Sequence, residues 1–139
     1  MKFATWRAPG YLYIFDVNGM TKFGITTNLE RRIKQYRKMV QDLPMQTIKV
    51  YSFDHYWQAE LVESMMRFRL RNWAMQGRYE WLVDLTLQQV IDCYRQIISV
   101  VEPEYDLCEC FHYHTDTRYA HYKNFFRMFT DKFDQVDLS

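Results

Sequence analysis

Glycine and proline are scarce in this chain of 139 residues, which contains four and three of them. This scarcity excludes collagen-like and linker-rich architectures, because both depend on these residues. Long hydrophobic runs are also missing: the longest, residues 10–15 and 97–101, fall far short of the ~20 residues that span a bilayer. We therefore expect no membrane partner. The start of the chain also lacks the apolar segment of a secretory signal, which favours a cytoplasmic location.

Cysteine is the other rare residue, with copies only at Cys93, Cys108 and Cys110. An odd number excludes a fully paired disulfide framework, so reduced thiols are expected. What the chain does have is 48% hydrophobic and 25% charged residues. That composition excludes a disordered chain, and the length fits one core.

Four potential zinc ligands alternate near the end of the chain: Cys108, Cys110, His112 and His114. An extended strand would place the outer two about 20 Å apart, too far for one shared ion. Two of them with Cys93 or His121, or a bent segment, could still bind zinc. The favoured interpretation is strand packing with incidental thiols.

The net charge of +1 hides a gradient along the chain. Residues 1–50 carry nine Lys and Arg against three Asp and Glu, whereas residues 101–139 carry four against eight. Because clustered basic residues are needed to neutralise phosphates, a polyanion would contact the first third. A solvated helix face is the plainer explanation of the same charges.

A β-hairpin is predicted at the start, because Asn18-Gly19 separates two apolar and aromatic runs and suits a type I′ turn. A two-residue turn pairs Phe15 with Lys22 and Tyr13 with Gly24. One face of the hairpin then carries alternating residues from both strands. They are Tyr11, Tyr13, Phe15, Lys22, Gly24 and Thr26.

A basic helix is expected next, since Thr27 and Glu30 have the spacing of a capping box. Arg32 and Tyr36 are four residues apart, which places them side by side on this helix. Four further basic residues make the helix a candidate DNA-binding surface: Arg31, Lys34, Arg37 and Lys38.

The remaining pattern predicts a strand over 47–53, a helix capped by Asp54 and stopped by Gly77, a short strand over 78–83, and a helix from Thr86 to Ile98. The helix between Asp54 and Gly77 is expected to pair Glu63 with Arg67 on its outer face. This order indicates an α+β domain over 1–101, with a small, mostly antiparallel three-stranded sheet flanked by helices. Residues 102–139 are expected to form an extension whose aromatic helix, over 115–133, packs on the domain or forms a homodimer contact.

Residues 10–36 resemble the GIY-YIG nuclease superfamily. Residues 10–13, Gly-Tyr-Leu-Tyr, stand at the first motif, and residues 22–24, Lys-Phe-Gly, stand at the second. Arg32, eight residues after Gly24, matches the catalytic Arg, and Tyr36 matches a position where members have His, Lys or Tyr. Residues 77–82, Gly-Arg-Tyr-Glu-Trp-Leu, are similar to the Glu-Trp-Phe signature of a phage and bacterial branch. The resemblance covers about residues 10–98.

The resemblance implies a metal-dependent DNA endonuclease, in a host cytoplasm if the protein is phage-encoded. Glu80 would bind Mg²⁺ or Mn²⁺, and Arg32 would bind the scissile phosphate. Tyr13, with Tyr11 or Tyr36 nearby, would orient or deprotonate the attacking water.

Two positions depart from the family pattern. Lys22 replaces the usual second tyrosine and would contact phosphate instead. Either Tyr11 or Tyr13 could be the first-motif tyrosine, and Tyr13 is preferred because it opposes Gly24, where a missing side chain leaves room for a phosphate and a water.

Other functions fit the same residues. A catalytically inactive module that binds nucleic acid or inhibits a partner would keep the fold, and Lys22 is the residue that favours it. A protein that binds other proteins through its C-terminal aromatic helix is a third hypothesis. Taken singly, Tyr11 and Tyr13 are ordinary strand packing residues and Arg32 an ordinary helix charge.

Overall fold

A computed structural model of the protein describes residues 7–39 and 45–106. Its strands are β1 (Gly10–Val17), β2 (Met20–Thr26), β3 (Met45–Phe53), β4 (Ala74–Met75) and β5 (Arg78–Leu82). Its helices are α1 (Leu29–Met39), α2 (Tyr56–Arg69) and α3 (Leu87–Val101), with 3-10 turns at Arg71–Trp73 and Glu102–Glu104. This is the expected α+β class.

The β1–β2 hairpin has the predicted register. Tyr13 pairs with Gly24, Phe15 with Lys22, and Val17 with Met20. The turn residues have positive φ angles, 51° at Asn18 and 83° at Gly19, as a type I′ turn requires. The Asn-Gly turn therefore fixes which side chains of the two strands lie together.

The sheet is larger than predicted, with five antiparallel strands in the order β3-β1-β2-β5-β4 instead of three. β5 joins β2 through the pairs Thr21 with Leu82 and Lys22 with Trp81. β4 has only two residues, too few to show strand alternation in a sequence. The β4–β5 turn brings Gly77 to a φ of +76°.

Three helix boundaries differ from the prediction. Asn28, not Thr27, caps α1, since its Oδ1 accepts the backbone N–H of Arg31 at 3.1 Å. α2 begins after His55 instead of Asp54, and the Gln58 side chain accepts the His55 N–H at 3.2 Å. It ends at Arg69, eight residues before Gly77.

The cap of α3 and an ion pair within α2 both form, but the ion pair differs in its position. Thr86 caps α3 as predicted, because its hydroxyl accepts the Gln89 N–H at 3.1 Å. The ion pair between Glu63 and Arg67 forms at 3.1 Å, but Glu63 is buried, so the expectation that it lies on the outer face is wrong.

The main core lies between one face of the sheet and helices α2 and α3. Leu12, Ile14 and Phe23 come from the hairpin and meet Leu61, Met65, Val90 and Ile97. Cys93 lies in this core, where burial raises the pKa of its thiol to about 12. A reactive cysteine needs a lowered pKa, so Cys93 is a packing residue. Within the described part of the chain, no helix is long and apolar enough to cross a membrane.

Candidate active site

The opposite face of the sheet carries a second, smaller cluster of buried side chains. Its members are Tyr13, Phe15, Val17 and Tyr36, with Leu29, Ile48 and Trp81 packed against them. Helix α1 closes this cluster through Tyr36, whose ring lies edge-on to Tyr13 and Phe15 at centroid distances of 5.6 and 5.3 Å. The predicted hairpin face therefore lies beneath the predicted basic helix.

Two phenol groups meet in this cluster. The hydroxyl oxygens of Tyr13 and Tyr36 are 2.9 Å apart, so one donates a hydrogen bond to the other. Tyr13 is only 2% exposed and Tyr36 9%. Because a buried hydroxyl without a partner costs free energy, this contact fixes both side chains.

Position 24 requires a glycine because the Tyr13 ring packs against it. It does not leave an open space. A Cβ atom at Gly24 would clash with the Tyr13 hydroxyl and would lie 2.7 Å from its Cζ. The expectation that Gly24 leaves room for a phosphate and a water is therefore wrong, because the Tyr13 phenol fills that room. The rigid Tyr13 ring occupies the space that a side chain at Gly24, its partner on the neighbouring strand, would need.

We expect Gly24→Ala to destabilise the protein and to separate the two phenols. The added methyl forces the buried Tyr13 ring to move, and overpacking of this kind costs ~1–3 kcal/mol. Thermal or urea unfolding measures the cost. In a Tyr13→Ala background the same substitution should cost much less, since its obstacle is gone. Equal costs in both backgrounds would contradict this packing.

Lys22 lies beside the phenol pair and is almost completely buried, at 4% exposure. Its ammonium nitrogen is 5.7 Å from the centre of the Tyr36 ring and 5.4 Å from that of Trp81. Both distances are within the range of cation–π attraction. Lys22 thus places a positive charge between two aromatic rings at the edge of the cluster.

Trp81 also belongs to this site, and the sequence does not reveal its position there. It pairs with Lys22 across β2 and β5, and its ring lies perpendicular to Phe15 at 6.3 Å. The alternation of β5 points it to the hairpin face, but only the pairing of β5 with β2 brings it to Lys22. That pairing joins strands about 60 residues apart.

Arg32 and Tyr11 are less deeply buried than Tyr13 and Tyr36. Arg32 is half-buried on α1, one turn before Tyr36. Tyr11 is half-buried on β1 and pairs with Thr26 and Ser52. The buried phenol contact involves Tyr13, two residues further along the strand.

The predicted DNA-binding residues are exposed along α1: Arg31, Lys34, Arg37 and Lys38. Lys34 pairs with Glu30 at 3.3 Å, but both side chains are more than two-thirds exposed, so water screens this pair strongly. The helix presents these cations next to the half-buried Arg32.

The T5orf172 domain family matches residues 10–98, which is most of the chain. The chain belongs to the T5orf172 domain family. This family is a phage-associated, nuclease-like domain related to the GIY-YIG superfamily but distinct from it. Searches among curated proteins and among solved structures found no match.

In this T5orf172 domain, Glu80 lies in β5 directly before Trp81, and its side chain falls outside the described part of the structure. No group of three or more His, Cys, Asp or Glu side chains within 7–39 and 45–106 is arranged to hold a metal ion. A single carboxylate can hold Mg²⁺, which keeps several waters and binds substrate phosphate as well, so the residue type of Glu80 suits this role.

Some expectations fall outside the described residues. They concern the candidate zinc ligands Cys108, Cys110, His112, His114 and His121, and the aromatic helix over 115–133. The homodimer contact expected through that helix stays a prediction.

Proposed function

We propose that this T5orf172 domain is a metal-dependent DNA endonuclease of the GIY-YIG type, which hydrolyses phosphodiester bonds. The observation that carries the proposal is the hydroxyl contact between Tyr13 and Tyr36, with Lys22 beside it and Arg32 one helical turn away. Structural tyrosines need no such cationic surroundings. Phosphodiester hydrolysis needs both a group that handles the proton of a water and cations that neutralise the phosphate.

Each of these residues has one part in the proposed reaction. Arg32 binds the scissile phosphate, because its planar guanidinium offers paired donors and stays charged. Tyr36, held by Tyr13, orients the attacking water and accepts its hydrogen bond at the phenol oxygen. Tyr11 is the second candidate for that contact, since it is more exposed than Tyr13.

In the proposed reaction Lys22 lies beneath the substrate and acts through its charge, without an open contact to the phosphate. The Lys22 side chain is buried, and its positive charge lies next to the phenol pair. A low local dielectric there strengthens the effect of this charge on negative charge. Glu80 would hold Mg²⁺ or Mn²⁺, which supplies charge stabilisation for the leaving oxygen when bound.

The burial of Tyr13 and Lys22 favours one alternative, a module that binds nucleic acid without cutting it. Both side chains are under 5% exposed, so neither offers its polar atom openly to a substrate. In that case the cluster would serve to hold α1 on the sheet, and the basic face of α1 would carry the function.

The Tyr36→Phe variant distinguishes these functions. It keeps the ring packing but removes the hydroxyl that contacts Tyr13, and loss of a proton-handling group costs ~10²-fold or more in rate. We expect plasmid nicking with Mn²⁺ to fall by about that factor, with a small drop in melting temperature. Duplex binding should stay unchanged. Wild-type protein that binds DNA but never cuts it supports the binding module instead.

The α1 surface predicts a salt effect on DNA affinity. Replacing Lys34 and Lys38 with glutamine should reduce the slope of log affinity against log salt by about two contacts. The matched control is Lys49→Gln with Arg95→Gln, which removes two exposed positive charges from β3 and α3. Fluorescence anisotropy at several salt concentrations measures both. Equal slopes for the two double variants would show that α1 is an ordinary solvated face.

A further inference from the structure

Strand β3 forms one outer edge of the sheet. Within residues 7–39 and 45–106 its strand partner is β1, and no other described strand lies beside its second edge. Residues 48–53 pair with β1 in an unbroken register and contain neither proline nor glycine. The backbone N–H and C=O groups along such an edge are a template for a further strand.

The side chains of β3 leave this edge accessible. Lys49, Val50 and Ser52 are all exposed, and Val50 keeps 40% of its surface in water although it is apolar. Edge strands are usually protected by proline, by a bulge or by charged side chains. Over residues 48–53, Lys49 is the single charge. This part of β3 is therefore poorly protected against pairing with another chain.

The strand is self-complementary when two copies run antiparallel around Val50. Each Val50 then lies opposite Val50 of the second copy, and each Lys49 lies opposite Tyr51. The Tyr51 ring is half-buried and stacked on Tyr94 at 4.0 Å, so it offers a fixed apolar neighbour to the lysine stem. A pairing centred on Lys49 would oppose two like charges, which is destabilising. Lys49 thus favours the register centred on Val50.

We propose that two copies of this chain pair through β3, antiparallel and centred on Val50, so that their sheets become continuous. A contact of this kind uses the same surface of both copies and is closed by a two-fold axis, so assembly stops at the dimer. One pair of short strands buries less than the ~800 Å² per partner of a standard interface. A weak dimer, of about micromolar affinity, is therefore expected.

The dimer would bring two candidate active sites to one face of the joined sheet. Val50 pairs with Tyr13, so both side chains point to the same face and the phenol cluster lies one strand from the contact. Three strand spacings, about 14 Å, would separate Tyr13 from Tyr13 of the second copy. Two-fold related sites suit the two strands of a DNA duplex. This consequence rests on the proposed nuclease function, whereas the strand pairing does not.

Disulfide formation between copies of the full chain tests the pairing. The background variant replaces Cys108 and Cys110 with serine, and Cys93 is buried. Val50→Cys would place two thiols opposite each other with Cα atoms about 4.5–5.5 Å apart, a distance that a disulfide spans. Ser52→Cys is the matched control, because its two copies would be offset by about 13 Å along the strands. Mild oxidation should cross-link Val50→Cys at least tenfold faster than Ser52→Cys.

Val50→Lys tests the same contact without oxidation. It sets two positive charges opposite each other, so light scattering should show dimerisation weakened about tenfold. Val50→Thr keeps a neutral, branched side chain and should change the dimerisation constant less than threefold. Circular dichroism melts establish that each variant is folded, as expected for substitutions at an exposed position.

The outcomes separate this inference from the nuclease proposal, because neither measurement needs DNA or a metal ion. Equal cross-linking of Val50→Cys and Ser52→Cys, or none of either, would overturn the pairing. A dimer whose stability is unchanged in Val50→Lys would overturn it as well, since the contact would then lie elsewhere in the chain. Selective cross-linking by a protein that never cuts DNA would support the pairing and leave the nuclease proposal as the one that fails.

Discussion

Arg32→Ala should reduce DNA cleavage by about 10²- to 10³-fold, the usual cost of removing one group that stabilises transition-state charge. Arg32 lies on α1 one turn before Tyr36, whose hydroxyl contacts that of Tyr13. Alanine favours helix, so α1 should persist without it. Plasmid nicking with Mn²⁺ gives the rate, and a thermal melt shows whether the domain stays folded.

Two controls isolate the guanidinium of Arg32. Gln35→Ala changes an exposed residue of the same helix and should keep the wild-type nicking rate. Arg32→Lys keeps the charge but loses the paired donors, and it should stay well below wild type. Nicking by Arg32→Ala at close to the wild-type rate would remove Arg32 from the site.

Glu80→Gln should abolish cleavage at every Mn²⁺ or Mg²⁺ concentration tested. The substitution keeps the size of the side chain but removes the charge that a hard divalent cation requires. DNA binding in EDTA should be retained, because it depends on the basic side chains rather than on this carboxylate. Metal titrations of the nicking rate measure the effect.

Asp84 provides the matched control for Glu80. It is an exposed carboxylate just past the end of β5 with a φ of +62°, a conformation that asparagine also adopts readily. Asp84→Asn should therefore fold and cut DNA with the wild-type metal dependence. If a high metal concentration restores cleavage by Glu80→Gln but not by Asp84→Asn, Glu80 has been wrongly assigned as the metal ligand.

Local sequence signals predicted the hairpin and its register. Asn18-Gly19 strongly favours a tight turn, and a two-residue turn then fixes the pairing of Tyr13 with Gly24. The i, i+4 spacing of Arg32 and Tyr36 likewise placed both on one side of α1. These features depend on residues that are close together in the chain, so composition and spacing are sufficient to predict them.

Long-range packing could not be predicted in the same way. The Tyr13 ring fills the space beside Gly24, and its hydroxyl bonds to that of Tyr36, 23 residues away. The contact of Lys22 with Trp81 depends on how β5 joins β2. A pattern of residues shows which faces are apolar, but not which side chain occupies a given space on that face.

The most direct test of the nuclease proposal is the conversion of supercoiled plasmid by purified wild-type protein, followed over time with Mn²⁺, with Mg²⁺ and with EDTA. A metal-dependent endonuclease should accumulate nicked or linear DNA with either metal, and EDTA should stop it. DNA that stays supercoiled with both metals, although anisotropy shows it bound, would contradict the account.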